Sequence, residues 1–185
     1  SKGKGRLARE WYSSDRESIY MSIILRPHMS PLDAPKLSVM AALAVARTVT
    51  AQAKIKVNVK WPNDVLSGVR KICGILTEMI TDMDRISHVV CGIGLNVNQE
   101  DFPEQLHQIA TSIAIQSGKT HSRPQLVVQI VSEFFSIYNE YEKTGDFAPM
   151  ITEYTRLSVV LHQTVEITNG KKTDGGKGSG VDRDG

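Results

Sequence analysis

The chain has 185 residues, 41% of them hydrophobic, with 22 Lys and Arg against 20 Asp and Glu for a formal net charge of +2. That size and composition allow one good core, read here as one main domain, with room for only part of a second. The nearly cancelled charge gives no global field for nucleic acid or a membrane surface, no signal peptide is expected, and no apolar run approaches the roughly 18 residues of a membrane span.

The chain opens inside a loop of glycines and cations, Gly3-Lys-Gly-Arg-Leu-Ala-Arg-Glu-Trp11. No strand or helix leads into it, so the residues are expected to be a fragment whose N-terminal part lies upstream. Ile19, Met21, Ile23 and Leu25 then alternate as a half-buried strand does, and Ile55, Val57, Val59 and Trp61 repeat the pattern. Between them a helix starts near Pro35, where Leu37, Met40, Ala41, Ala44, Thr48 and Ala51 form an apolar stripe of mostly small residues suited to packing on a sheet.

Two strands over 71–80 and 86–98, joined by the polar turn Thr81-Asp-Met-Asp84, read as an antiparallel hairpin. In the second, Val89, Cys91, Ile93, Leu95 and Val97 share one face and His88, Val90, Gly92, Gly94, Asn96 and Asn98 the other. The first face is core. The second carries glycines where side chains would otherwise block a ligand or another backbone. Cys73 and Cys91 lie in these apolar runs, which fits reduced thiols and a cytoplasmic location better than a disulfide framework, although a hairpin would bring them near enough to leave a bond open.

Ser122 to Gln125 resembles a capping box, and Leu126, Ile130, Phe134, Ile137 and Tyr141 make the stripe of a long helix ending near Gly145. A shorter helix over 147–157 leads to the alternating Gln163-Thr-Val-Glu-Ile-Thr168 and the turn Asn169-Gly170. The expected architecture is α/β in the α+β sense, a mixed, largely antiparallel sheet flanked by helices.

The chemistry concentrates in Lys60-Trp-Pro-Asn-Asp64 and Arg70-Lys71-Ile-Cys-Gly-Ile-Leu-Thr-Glu78, where an amide, carboxylates and cations crowd around apolar strand segments. That mixture suits a bound anion or nucleotide. Each residue also has a plainer reading. A lysine at a strand start is ordinarily a solvated end residue, Asn63 and Asp64 after a proline suit an Asx turn, Trp11 and Trp61 suit a core, and Asn96 suits the capping of a strand end. His28, His88, His107, His121 and His162 show no metal-ligand spacing. Nucleophile-elbow, Walker and dinucleotide fingerprints are absent from the sequence.

The three ordered motifs, the basic loop, the Lys60 to Glu78 stretch and Gly92-Ile-Gly-Leu-Asn96, resemble the catalytic domain of biotin protein ligases over roughly residues 3–168. Gly3, Gly5, Arg6, Arg9 and Trp11 match that family's first motif, Gly-Arg-Gly-Arg-x-Gly-Arg-x-Trp, whereas Lys4 and Ala8 depart from it. The resemblance implies a class II synthetase-like catalytic domain over residues 1–160 and the start of a C-terminal SH3-like barrel over 161–185. It implies ATP and biotin as substrates, Mg2+ arriving with ATP, an enzyme-held biotinyl-5'-AMP, and transfer to a lysine of a biotin carboxyl carrier protein. A lipoate-protein ligase or related acyl transferase, which shares the fold and the adenylate logic, is the alternative.

Carried over residue by residue, the resemblance implies catalytic roles for Lys71, Arg6 and Asp64, biotin contacts from Gly3, Lys4, Gly5, Arg6 and Lys71, and ATP contacts from Arg6, Arg9, Trp11, Lys60, Asn63, Lys71 and Asn96. Lys71 would hold the carboxylate and α-phosphate, Asn63 a phosphate or the ribose, and Asp64 would orient cations or take a proton from the incoming lysine. Trp11 would cover adenine or pack the loop. Such phosphoryl chemistry depends on backbone amides and fixed cations more than on a nucleophile. An exposed sheet edge would permit a homodimer, and neither membrane nor nucleic acid is expected as a partner of these residues, which show no helix-turn-helix pattern.

Overall fold

In the computed structural model, residues 3–4, 10–12, 17–82, 85–169 and 172–181 are described. Strands β1 (Gly3–Lys4) and β2 (Glu10–Trp11) form a short antiparallel ribbon. There follow β3 (Ser18–Leu25), helix α1 (Lys36–Ala53), β4 (Asn58–Lys60), β5 (Asp64–Ser67), β6 (Arg70–Asp82) and β7 (Arg85–Asn96). Three helices, α2 (Ile113–Ser117), α3 (Arg123–Thr144) and α4 (Ala148–Leu157), precede a hairpin of β8 (Thr164–Asn169) and β9 (Lys172–Lys177). The central sheet runs β3-β7-β6-β5-β4, and each of its ladders is antiparallel. This is the α/β arrangement expected, with parallel contacts confined to isolated bridges such as Lys71 with Ala110.

Helix α1 lies between the sheet and a second helical layer of α3 and α4. Its sequence dictates that position, because every residue from Val39 to Val45 is at most 2% exposed, a stretch of about two turns buried around the whole circumference, and a helix segment apolar on every side belongs in an interior. A single stripe accounts for only part of this. Ala51 is exposed while Val39, Ala42, Ala46 and Val49 are buried as well, since α3 and α4 cover the side that a two-layer packing would leave in water. Lys36 is buried at the helix start, with Nζ 2.5 Å from Asp33 Oδ1 and within 5.6 Å of the Tyr141 and Phe147 ring centroids. Burial works to lower its pKa, but Asp33 and Tyr141 outweigh it and hold the amine above its ordinary value.

The stripe of α3 is buried as its spacing requires, Leu126, Ile130, Phe134, Ile137 and Tyr141 all facing inward. Gly145, at φ 66°, closes the helix in the left-handed conformation that glycine adopts without strain. The capping box does not form: Ser122 is the N-cap, but its hydroxyl makes no cap bond, and Pro124 removes one of the N–H groups it would accept from. Arg47 on α1 joins the helical layer through Glu153, 2.5 Å from Nη2, and through Glu133 at 3.5 Å.

The strand read from Ile55 to Trp61 shortens to Asn58–Lys60, because the chain turns at 61–63 and Trp61, 51% exposed, falls beyond the ladder. Cys73 and Cys91 are free and buried. Their strands are registered so that Cys91 faces Thr77 and Cys73 faces Leu95, which keeps them from pairing, and burial pushes both thiols up, that of Cys91 to about 11. Among the described residues no helix is long and apolar enough to cross a membrane.

Truncating Leu43, fully buried at the middle of α1, to alanine should destabilise the domain by about 3 kcal/mol. Urea unfolding checks this. A change below about 1 kcal/mol would contradict α1 as the packed centre.

Candidate functional site

The helix-free face of the sheet carries one register row across all five strands: Tyr20 on β3 opposes Gly94 on β7, Gly94 opposes Gly74 on β6, Gly74 opposes Asp64 on β5, and Asp64 opposes Lys60 on β4. The paired glycines leave a bare floor. Trp11 lies on it: a Cβ built at Gly74 would come 2.5 Å from Trp11 Cζ3, and one at Gly94 3.1 Å from Trp11 Cε2. The hollow beside this ring has a volume of about 310 Å3 and is lined by Trp11, Tyr20, Ser22, Asn63, Lys71, Gly74, Leu76, Glu78, Gly92 and Gly94.

Lys71 reaches this face through a β-bulge. Cys73 pairs with Val65 and Lys71 with Leu66, so Ile72 has no partner on β5. Ile72 and Cys73 are both fully buried on the helix side, and the extra residue turns Lys71 to the same face as Gly74. There Lys71 Nζ lies 2.6 Å from Asp64 Oδ1 and 4.9 Å from the centroid of the Trp11 ring. The result is a partly desolvated cation held between a carboxylate and an aromatic face, above a floor of glycines. The main chain of Lys71 is held from outside the sheet: its N–H donates to Ile109 O at 2.8 Å, and its carbonyl accepts from Thr111 N at 2.9 Å.

Asn63 follows the cis Trp61–Pro62 bond, donates from Nδ2 to Ile75 O at 2.8 Å, and accepts from Ile75 N at its own carbonyl at 2.9 Å. It thus continues the β5 edge by one residue while bordering the hollow. Lys60 is exposed at the end of β4. Asn96 is 3% exposed, with Nδ2 donating to Thr111 O at 3.0 Å and Oδ1 accepting from Gln99 at 3.3 Å. The structure therefore brings Lys71, Asp64, Asn63 and Trp11 together, sets Asn96 beneath the 109–111 segment and places Lys60 at the rim. Gly3 and Lys4 form β1, paired with the strand that carries Trp11. Gly5, Arg6 and Arg9 lie outside the described residues.

Sequence reasoning left Gly74, Tyr20, Ser22 and the 109–111 segment unassigned. Gly74 was findable, because placing the two strands in hairpin register sets it opposite Gly94. The 109–111 segment carries no local signal. A second hollow of about 410 Å3 lies toward α1, lined by Pro31, Pro35, Ser38, Trp61, Thr77 and Met79, and adjoins the first through Asn63, Ile75 and Leu76. Among the described residues no three His, Cys, Asp or Glu side chains converge as a metal site. Of the carboxylates near the first hollow, Asp64 is ion-paired and Glu78 lines the wall, so a divalent ion would have to bring most of its ligands with it.

A model of the biotin/lipoate A/B protein ligase family matches residues 1–96. The chain is 39% identical over 187 residues to the bifunctional ligase/repressor BirA of Bacillus spizizenii, covering 99% of this chain and 57% of that protein. It is 27% identical to the biotin–[acetyl-CoA-carboxylase] ligase of Paracoccus denitrificans, covering 99% of this chain and 78% of that one. Among solved structures, the biotin protein ligase of Aquifex aeolicus in complex with biotin and ATP matches with a TM-score of 0.85 at 26% identity, over 99% of this chain and 75% of that chain.

The glycine floor is open to a direct test in a Trp61→Phe background, where Trp11 is the remaining indole. Gly74→Ala should displace the ring and shift its emission to longer wavelength. Gly92→Ala, whose Cβ would meet Leu76 O at an ordinary 3.4 Å, should leave the emission unchanged while narrowing the hollow. Unaltered emission in Gly74→Ala would mean that Trp11 does not rest on this floor.

Proposed function

Because the chain belongs to the biotin/lipoate A/B protein ligase family, we propose that it comes from an ATP-dependent biotin–[acetyl-CoA-carboxylase] ligase and contributes that enzyme's biotin- and nucleotide-binding domain. The chain spans 57% of the length of the BirA relatives it matches. The observation that carries the reading is Lys71, held by Asp64 above Trp11 beside a glycine-floored hollow. At about 310 Å3 the hollow sits at the small end of ligand sites, roughly 300–1,000 Å3, which suits biotin better than a whole adenylate.

In the first step an oxygen of the biotin carboxylate forms a bond to the α-phosphorus of ATP as the bond to pyrophosphate breaks. Lys71 supplies a fixed cation where negative charge gathers on both reactants, which is worth most in a site shielded from water. An anionic substrate competes with Asp64 for the Lys71 ammonium, so binding would release the Asp64 carboxylate. In the second step the amine of the acceptor lysine attacks the mixed anhydride, AMP leaves, and Asp64 would take the amine proton. Arg6 and Arg9 would fix the phosphates, Gly3, Lys4 and Gly5 would close over biotin, and Lys60, Asn63, Trp11 and Asn96 would border the nucleotide. Mg2+ would enter on the ATP phosphates.

The acceptor we propose is the lysine of a biotin carboxyl carrier domain. Beyond Ile75 the β5 ladder has ended, so the main-chain groups of Thr77, Met79 and Thr81 on that side meet no strand among the described residues. An open edge of this kind accepts an added strand. It supports both docking of the carrier and a homodimer. The SH3-like reading of the last residues rests on the β8–β9 hairpin alone. We place the protein in the cytoplasm, where carboxylase carriers are made.

Biotin-dependent exchange of labelled pyrophosphate into ATP tests the reading, with lipoate run in parallel because the family model includes lipoate ligases. Exchange with biotin and not lipoate is the expected result; exchange with lipoate alone would transfer the assignment. Lys71→Ala should lower exchange by at least about a hundredfold with circular dichroism unchanged. Arg6→Gly should instead weaken retention of the adenylate, so that biotin appears on lysines of unrelated proteins added to the assay; labelling of the carrier alone would remove Arg6 from that role.

A further inference from the structure

We propose that Asn96 is a positioning residue for Lys71 and acts through the main chain of Thr111. This deepens the ligase reading and rests on it for the consequence in turnover, though not for the positional effect itself. It differs from the direct nucleotide contact that the family resemblance implies for Asn96.

Lys71 keeps its pairing with Leu66 on β5 but lies past the end of the β6–β7 ladder, which begins at Cys73 opposite Leu95. Both of its backbone groups turn instead to an irregular segment, the N–H to Ile109 O at 2.8 Å and the carbonyl to Thr111 N at 2.9 Å. A loop segment can hold a catalytic lysine only as firmly as the loop itself is held. Here it is pinned from beneath by buried polar groups. Asn96 Nδ2 donates to Thr111 O at 3.0 Å, Gln116 Nε2 donates to Thr111 Oγ1 at 3.0 Å, and Ser112 Oγ donates to Gln99 O at 2.6 Å. Gln99 in turn donates to Asn96 Oδ1 at 3.3 Å and to Ser18 Oγ, which anchors the set on β3.

Gln99, Thr111 and Ser112 are 0% exposed and Asn96 3%, so solvent does not compete for the bonds among these four, whereas Gln116 is half-buried. In such a setting a lost partner leaves a desolvated group unpaired. Asn96 alone among these side chains joins the end of β7 to the carbonyl of the residue whose N–H holds Lys71. Its amide therefore sets where the Lys71 backbone stands, and through it how Nζ meets Asp64 and the Trp11 ring.

Asn96→Asp isolates the contact, because the carboxylate still accepts from Gln99 but now faces the Thr111 carbonyl with no donor. Lysine reactivity is measured residue by residue, by trace acetylation with acetic anhydride and mass spectrometry, in the wild type, Asn96→Asp and Thr111→Val. The last variant removes the Gln116 bond to Thr111 Oγ1 but keeps the Asn96 bond to the Thr111 carbonyl, so it separates the side-chain contact from the main-chain one. Lys71 should label about tenfold faster in Asn96→Asp, the factor that one lost buried hydrogen bond supplies, with Lys36 and the Thr111→Val protein unchanged. In pyrophosphate exchange kcat should fall about a hundredfold while KM for ATP stays put.

Unchanged Lys71 labelling overturns the proposal whatever the activity, as does a raised KM for ATP with Lys71 still protected, the signature of a direct nucleotide contact. Faster labelling of Lys36 together with Lys71 also overturns it, since the buried Lys36 reports general loosening of the core. If wild-type protein shows no exchange but Lys71 is released on schedule, the positional role stands and the ligase reading fails.

Discussion

The place of the Lys71 cation on the glycine face depends on one residue without a partner on β5. Strand side chains alternate, so the face of a residue is set by the parity of its distance from its neighbours. Lys71 and Gly74 are three residues apart, and in a regular strand they would face opposite ways. The bulge at Ile72 breaks the parity, sending two consecutive side chains, Ile72 and Cys73, into the core and returning Lys71 to the glycine face. Without it the cation would be turned toward α1, where no buried carboxylate among the described residues would neutralise it. The ion pair with Asp64 and the contact with Trp11 follow from that local irregularity.

The two faces of the sheet solve opposite problems. On the helix side the problem is density, met by α1 with its mix of alanines and large aliphatics under a second helical layer. On the other side the problem is approach, met by omitting side chains at Gly74, Gly92 and Gly94 so that an indole, and beside it a ligand, can come down onto the backbone. Glycine in a strand interior is intrinsically unfavourable. The buried side chains between them, Cys73, Ile75, Cys91 and Ile93, hold these stretches in place from the far side.

How much of this was legible follows from where the information is stored. The α3 stripe was readable because each of its five inward residues lies at helical spacing, and the split of β7 into core and glycine faces because strict alternation survives along it. β5 was missed because Val65, Leu66 and Ser67 are all buried, which erases alternation, and α2 because five residues are too few to show a period. The bulge could not be seen without β5. Asn96 was placed on the correct face, yet its partners come from a loop whose path no local pattern describes. The expected capping box did not form although Gln125 at the third helical position keeps its N–H, since the Ser122 side chain makes no cap bond.

The wall that β3 gives the hollow has a consequence for the order of assembly. The β6–β7 hairpin is local in sequence, Asp82 opposite Arg85, whereas β3 pairs with β7, Ser18 opposite Asn96 and Leu25 opposite Val89, after the chain has run out through α1, β4, β5 and β6. Contacts so distant in sequence are the slow ones in folding, because the intervening loop must be closed before they form. By that argument Tyr20 and Ser22 are expected to reach the floor after the β6–β7 hairpin has formed. A small molecule that needs that wall recognises only the finished domain, so by mass action it stabilises the whole cooperative unit and gives nothing to its partly folded precursors.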